Sequence, residues 1–142
     1  MNLILSMKEQ YFRQILSHEK KFEYRFKFPN IQNIDKVYIY ISKTQKSIVG
    51  YIKFSKITWM DKETASNFYS SVVNYPYNQS FRIMFDWIGE RNGCFVLEID
   101  NFKVFEKTLK LDFLKKDFNF TAPQNYMFLK NFELNKLLEN MG

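Results

Sequence analysis

Residues 21–28, Lys-Phe-Glu-Tyr-Arg-Phe-Lys-Phe, alternate apolar and charged side chains without a break. Phe22, Tyr24, Phe26 and Phe28 face one way, and Lys21, Glu23, Arg25 and Lys27 face the other. That two-residue period belongs to a half-buried strand and does not suit a helix. Pro29 and Asn30 close the run. Two more β-rich runs follow: KVYIYIS at 36–42, with Val37, Ile39 and Ile41 on one face, and SIVGYIKFSKI at 47–57. Residues 43–46 form the turn between them. Gly50, inside the latter run, predicts a bulge or the close approach of another segment. A chain with this stretch must build a sheet and arrange its helices around it.

Asn2 to Ser6 is short and apolar enough for a preceding strand. Ser6 and Glu9 have capping-box spacing, which predicts a helix to about residue 19 with Tyr11, Phe12, Ile15 and Leu16 on its apolar face. Asp61 is placed to cap a helix running to about Tyr69, with Glu63 in its first turn. Ser80 is placed to cap another, carrying Phe81, Met84, Phe85 and Ile88 and ended by Asn92 and Gly93. Residues 94–105 return to strand, 106–119 read as either strand end or helical turn, and Asn131 caps a closing helix with Leu134, Leu137 and Leu138. Consecutive strands with helices set aside make the fold class α+β. Short twisted strands of this kind often close into a small β-barrel with flanking helices.

A length of 142 residues predicts one domain. Aromatic residues make up 19% of the chain, which argues against disorder. Cys94 is the single cysteine, so no internal disulfide forms; no Cys/His cluster offers a metal site, and a reducing cytoplasm is expected. No cofactor is expected either, since Gly50, Gly89 and Gly93 are the only glycines inside the chain and cannot build a phosphate loop. The N-terminal apolar run is too short for a signal peptide, and no stretch approaches the ~18 apolar residues of a membrane span.

The net charge of +6 is uneven: residues 1–60 carry eleven Lys/Arg against four Asp/Glu, and residues 61–142 carry ten against eleven. A basic field concentrates anionic partners, nucleic acid first among them. The densest cluster is His18-Glu19-Lys20-Lys21-Phe22-Glu23-Tyr24-Arg25, where the first helix hands over to a strand. Glu23 and Arg25 share a strand face, and Lys20 comes off the helix end. Lys20 and Arg25 then offer positive charge to a phosphate or base edge, with Arg able to bind in fork geometry. His18, the one histidine, reads as a surface residue at the favourable end of the helix dipole. Tyr38 and Tyr40 occupy the face opposite Val37, Ile39 and Ile41, and Tyr51 and Lys53 share a face of the next strand. Tyrosines interleaved with lysines, Lys27 included, suit a groove that stacks bases and tracks phosphates. Trp59 and Trp87 read as buried anchors.

The segment LSMKEQYFRQILSHEKKFEYR resembles the opening of an ASCH domain, a PUA-like small β-barrel. That family opens with a strand, a helix ending in "IL-x-G" and a motif of the form G-x-K-x-x-E-x-R, whose K, E and R positions fall on Lys20, Glu23 and Arg25. Val49 and Gly50 are similar to the family's "VG" step. FDWIGERNGCFVLEI resembles its short helix, "Y-F-x-G" turn and following strand, and Pro123, Gln124 and Tyr126 resemble its closing segment. The resemblance runs from about residue 3 to residue 131. His18 stands where the family usually has Gly, so the turn there must avoid positive φ or bear its cost. Ala122 replaces a Pro. Glu23 stands where amidohydrolase members carry a Thr nucleophile; a carboxylate cannot take that role but can act as a general base.

The resemblance implies a module that binds single-stranded RNA or a modified nucleotide. Lys20, Arg25, Lys27, Tyr38, Tyr40, Tyr51 and Lys53 would form its surface. The competing class is a metal-independent hydrolase of RNA or a modified nucleoside, using Lys20 and Glu23. A third is a small module with a protein partner, for instance from a mobile element.

Overall fold

Eleven elements follow the order β1 (Leu3–Met7), α1 (Glu9–Leu16), β2 (Phe22–Arg25), β3 (Val37–Ile41), β4 (Ser47–Asp61), α2 (Lys62–Val72), α3 (Tyr77–Ile88), β5 (Gly93–Lys110), α4 (Leu111–Phe118), β6 (Tyr126–Phe128) and α5 (Phe132–Asn140). They come from a computed structural model that describes all of residues 1–142. The strands hydrogen-bond in the order β2-β5-β4-β3-β1-β6. This is a mixed α+β sheet, and it is open. The expected barrel does not form, because the terminal strands β2 and β6, of four and three residues, each pair on one side only. The chain divides into two compact units: Met1–Lys21, Asn30–Ser55 and Ile99–Gly142 make the first, and Phe22–Pro29 and Lys56–Glu98 the second.

In the first unit β1 runs parallel to β3, from Leu3 opposite Val37 to Met7 opposite Ile41. β3 also pairs antiparallel with β4, and β1 with β6. All five residues of both β1 and β3 are buried, so both faces of these central strands are covered. Ile4, Tyr38, Tyr40 and Ile48 join Phe105, Leu114, Phe120, Leu134 and Leu138 in one apolar cluster. Leu3, Leu5, Val37, Ile39 and Ile41 alternate to the opposite face and are equally buried. The expected stacking face of Tyr38 and Tyr40 is therefore corrected: at 0% and 3% exposure these phenols are core. Alternation with Tyr marks two faces but does not say that either meets water, because Tyr carries a large apolar body. Burial pushes the Tyr38 phenol up to about 12 and raises Tyr40 as well.

Gly50 shows both features expected of it. The β3–β4 register shifts between Ile39 and Tyr40, beside Gly50, and a Cβ on Gly50 would sit 2.0 Å from the Lys103 carbonyl oxygen of β5. The expected Ser6 cap does not form. Ser6 lies in β1 and its hydroxyl donates to the Pro123 carbonyl (2.6 Å), while α1 starts after Lys8, which contributes no side-chain cap. Glu9 instead accepts from Thr44 Oγ1 (3.0 Å) and Gln45 Nε2 (2.9 Å). Those bonds, from Gln45 above all, hold its carboxyl below the usual range. Of the expected apolar face of α1, Phe12 and Ile15 are buried and Tyr11 is exposed. Residues 106–119 resolve into the end of β5 followed by α4, and Asn131 caps α5 by accepting from the Leu134 N–H (3.0 Å).

In the second unit β2 pairs antiparallel with β5, from Phe22 opposite Glu98 to Arg25 opposite Phe95. Its apolar face is held by aromatic rungs: Phe22 edge-on to Phe68, Tyr24 edge-on to Tyr69, and Phe26 beyond the strand stacked on Trp87. Ala65, Met84, Ile88, Cys94 and Val96 form the core beneath them. Asp61 caps α2 as expected, accepting from the Thr64 N–H (2.8 Å). Ser80 does not cap α3, which begins three residues earlier after Pro76; its hydroxyl donates to the Pro76 and Tyr77 carbonyls. Trp59 and Trp87, expected as buried anchors, are 51% and 43% exposed.

Candidate functional site

Helix α1 ends at Leu16, and the chain must turn sharply to enter the sheet. It does so at His18, whose φ of 64° is the left-handed conformation that the Gly of the family pattern would adopt freely. A non-Gly residue there bears a cost of about 1–2 kcal/mol. The turn is tied by three backbone bonds: Ser17 N–H to Arg13 O, His18 N–H to Ile15 O and Lys20 N–H to Gln14 O, at 3.0, 3.1 and 3.0 Å. The Lys21 carbonyl then accepts from the Ile99 N–H (3.0 Å), docking this segment against β5.

These bonds frame a cleft of about 310 Å³ lined by Ile15, His18, Lys20, Lys21, Ile99, Asp100, Asn101 and Phe102. The His18 and Phe102 rings meet at 5.6 Å between centroids, tilted by 46°. Lys20 is half-buried, with its ammonium 4.9 Å from the centre of the Tyr11 ring. That contact restrains a flexible lysine. The lining brings together two ammonium groups, an aromatic pair and one carboxylate, Asp100. Charge partitions in the same sense. The first unit carries fifteen Lys/Arg against nine Asp/Glu, and the second carries six against six, so the whole +6 belongs to the unit that holds the cleft.

The other expected site residues fall in several places. Glu23 and Arg25 come together in the second unit, with Arg25 Nε donating to Glu23 Oε2 at 2.6 Å and Glu23 only 3% exposed. Lys27 is exposed on the segment after β2. Tyr51 is half-buried in the first unit, edge-on to Tyr38 and covered by the Lys36 ammonium at 5.0 Å. Lys53 pairs with Asp35 at 3.6 Å. The reading from sequence missed His18, Lys21, Asp100, Asn101 and Phe102 as one constellation. The signal for His18 was present, since a non-Gly residue at a Gly position of the motif marks the turn. Nothing local joins it to residues 99–102, because their meeting is a long-range pairing of the Lys21 segment with β5.

The ASCH domain family model matches residues 5–103, a span that contains Lys20, Glu23, Arg25 and the whole cleft. The chain belongs to the ASCH domain family. Its fold is the family's PUA-like one, here with an open sheet. The crystal structure of ASCH from Zymomonas mobilis is 22% identical, with a TM-score of 0.74 over 99% of this chain and 96% of that one. A serine-to-alanine mutant of the same protein gives a TM-score of 0.77 at 22% identity, again over 99% and 96%. Rpa0253 from Rhodopseudomonas palustris is 14% identical, with a TM-score of 0.56 over 99% of this chain and 92% of that one. Each likeness is one of fold and extends across nearly the whole chain. A comparison with curated proteins gave no match. No helix is long and apolar enough to cross a membrane.

Proposed function

We propose that this ASCH domain binds single-stranded RNA or a modified nucleotide in the cleft at the end of α1. The observation that carries the reading is the convergence of Lys20, Lys21 and the His18–Phe102 ring pair in one cleft on the basic unit. Two ammonium groups meet a phosphate, and a ring face meets a base; that pairing is the recurrent chemistry of single-strand recognition. Asn101 adds an amide that can read a base edge. Asp100 sets a limit, since a carboxylate repels phosphate and favours a base amino group on its side of the cleft.

Binding is favoured over turnover because Glu23, the candidate general base, is buried and one of its oxygens is engaged by Arg25. In that position Glu23 orients a guanidinium. The experiment is fluorescence anisotropy of a labelled single-stranded RNA decamer with the native protein and with Lys20→Ala and Lys21→Ala. Each substitution is expected to weaken binding severalfold. Equal affinity in all three proteins would overturn the cleft. The same incubations, run on a sequencing gel, address the hydrolase reading: RNA cleavage that disappears in Glu23→Gln and Lys20→Ala would replace binding by turnover.

A further inference from the structure

We infer that the second unit carries its own nucleobase platform, the three-layer stack Trp87–Phe26–Arg91, built to take one base of a single-stranded nucleic acid; the inference rests on the nucleic-acid reading above. The Trp87 and Phe26 rings lie 4.0 Å apart between centroids and are inclined by 21°, which is stacked geometry. The Arg91 guanidinium lies 4.0 Å from the same Phe26 centroid. Two groups cannot both lie that close to one ring centre on one side, so Phe26 is sandwiched between indole and guanidinium. Phe26 covers one face of Trp87, yet Trp87 remains 43% exposed. The indole face away from Phe26 is the one on which a further ring would stack.

Elementary chemistry favours a base over other occupants of that face. A flat ring held in place by a ring behind it loses little freedom when a further ring stacks on it. Stacking on indole is tolerant of base identity, because every base has a π-face. Two exposed cations flank the stack. Arg91 closes its far end, and Lys27 follows Phe26 in the chain; both supply the phosphate attraction that an uncharged partner would not use. The outer face is bounded by Ile83, exposed one helical turn before Trp87 on α3. Asp86 and Glu90 are the exposed carboxylates nearest to Trp87 along the chain.

The test uses the full chain with Trp59→Phe, which leaves Trp87 as the one indole reporter. A single-stranded RNA decamer is titrated at low salt while indole fluorescence and decamer anisotropy are recorded. Inorganic tripolyphosphate serves as the probe of charge alone. The expected result is saturable quenching by the decamer and none by tripolyphosphate. Trp87→Leu should weaken decamer binding about fivefold or more, and Trp87→Phe should stay within about twofold of the parent. The quench needs no substitution at Trp87, so it reads the platform even if the leucine variant fails to fold. Decamer binding that depends on Lys20 but neither quenches Trp87 nor responds to Trp87→Leu overturns the platform and leaves the cleft standing. No decamer binding at any salt overturns both. Self-association that Trp87→Leu abolishes, with no response to the decamer, assigns the face to a protein contact and overturns the platform.

Discussion

Replacing Gly50 by alanine is expected to cost more stability than any other single-methyl addition in the first unit. The new Cβ would lie 2.0 Å from the Lys103 carbonyl oxygen and 3.1 Å from the Val104 Cα, whereas ordinary contact begins near 3.4 Å. The strands would have to part by more than an ångström, and the obstacle is backbone, which cannot swing aside as a side chain would. Overpacking of this kind costs about 1–3 kcal/mol, and a backbone obstacle places Gly50→Ala at the upper end. The reduced freedom of the unfolded chain returns only about 0.4–1 kcal/mol. For a chain of this length each kcal/mol moves the thermal midpoint by about 2–4 °C, so a net fall of roughly 4–10 °C is expected by differential scanning calorimetry. Gly89→Ala is the control. Its Cβ would meet nothing nearer than 3.7 Å, but its φ of 63° imposes backbone strain alone, so its loss should be smaller, about 1–2 kcal/mol. A Gly50→Ala protein as stable as the parent would refute the close approach of β5 to β4 at Gly50.

Tyr38→Phe should leave RNA binding unchanged and raise stability by about 1 kcal/mol in urea unfolding, because the Tyr38 hydroxyl is buried with no hydrogen-bond partner; weaker RNA binding would restore Tyr38 to the surface. Asp61→Ala should lower the thermal midpoint at pH 7, while Asp61→Asn, which keeps the cap, should lower it less. Hydrogen bonds from Thr64 hold the Asp61 carboxyl below its ordinary value of 3.8. Its stabilisation is therefore complete above that value and is lost as pH falls through the lowered one, so the parent and Asp61→Ala midpoints should converge below about pH 4; a gap that widens in acid would contradict this. Burial pushes the Cys94 thiol up to about 11, so Ellman's reagent should leave it unlabelled at pH 8 in the native protein and label it fully in guanidinium. Rapid native labelling would show that the core around Cys94 is open.

Much of this architecture can be read locally. The 21–28 alternation places Phe22, Tyr24 and Phe26 on one face, and each finds an aromatic partner there. Asp61 and Asn131 cap the helices they precede, and Gly50 marks a close approach. The failures share a cause. Ser6 matches a capping box by spacing, but the strand pairing of Leu3–Met7 with β3 claims it first. Tyr38 and Tyr40 look amphipathic, but β3 lies between β1 and β4 with a helical layer over the tyrosine face, and nothing within 36–42 announces that. The barrel fails because closure depends on how far the edge strands extend, which their composition does not state. Charge is the instructive case. Counted along the chain, the excess sits in residues 1–60, whereas the folded division assigns all of it to one unit and leaves the Glu23–Arg25 pair in a neutral one. In the fold, Lys20 lines the cleft and Glu23 holds Arg25.

The central claim is that the α1 cleft binds nucleic acid through Lys20 and Lys21, and the salt dependence of RNA decamer affinity tests it most directly. Each phosphate neutralised on a single strand contributes a slope of about −0.7 in log K against log salt. The parent protein should show a slope of about −1.4 or steeper, and Lys20→Ala should flatten it by about 0.7. A parent affinity that is flat between low and physiological salt, or a slope untouched by Lys20→Ala, would contradict the account.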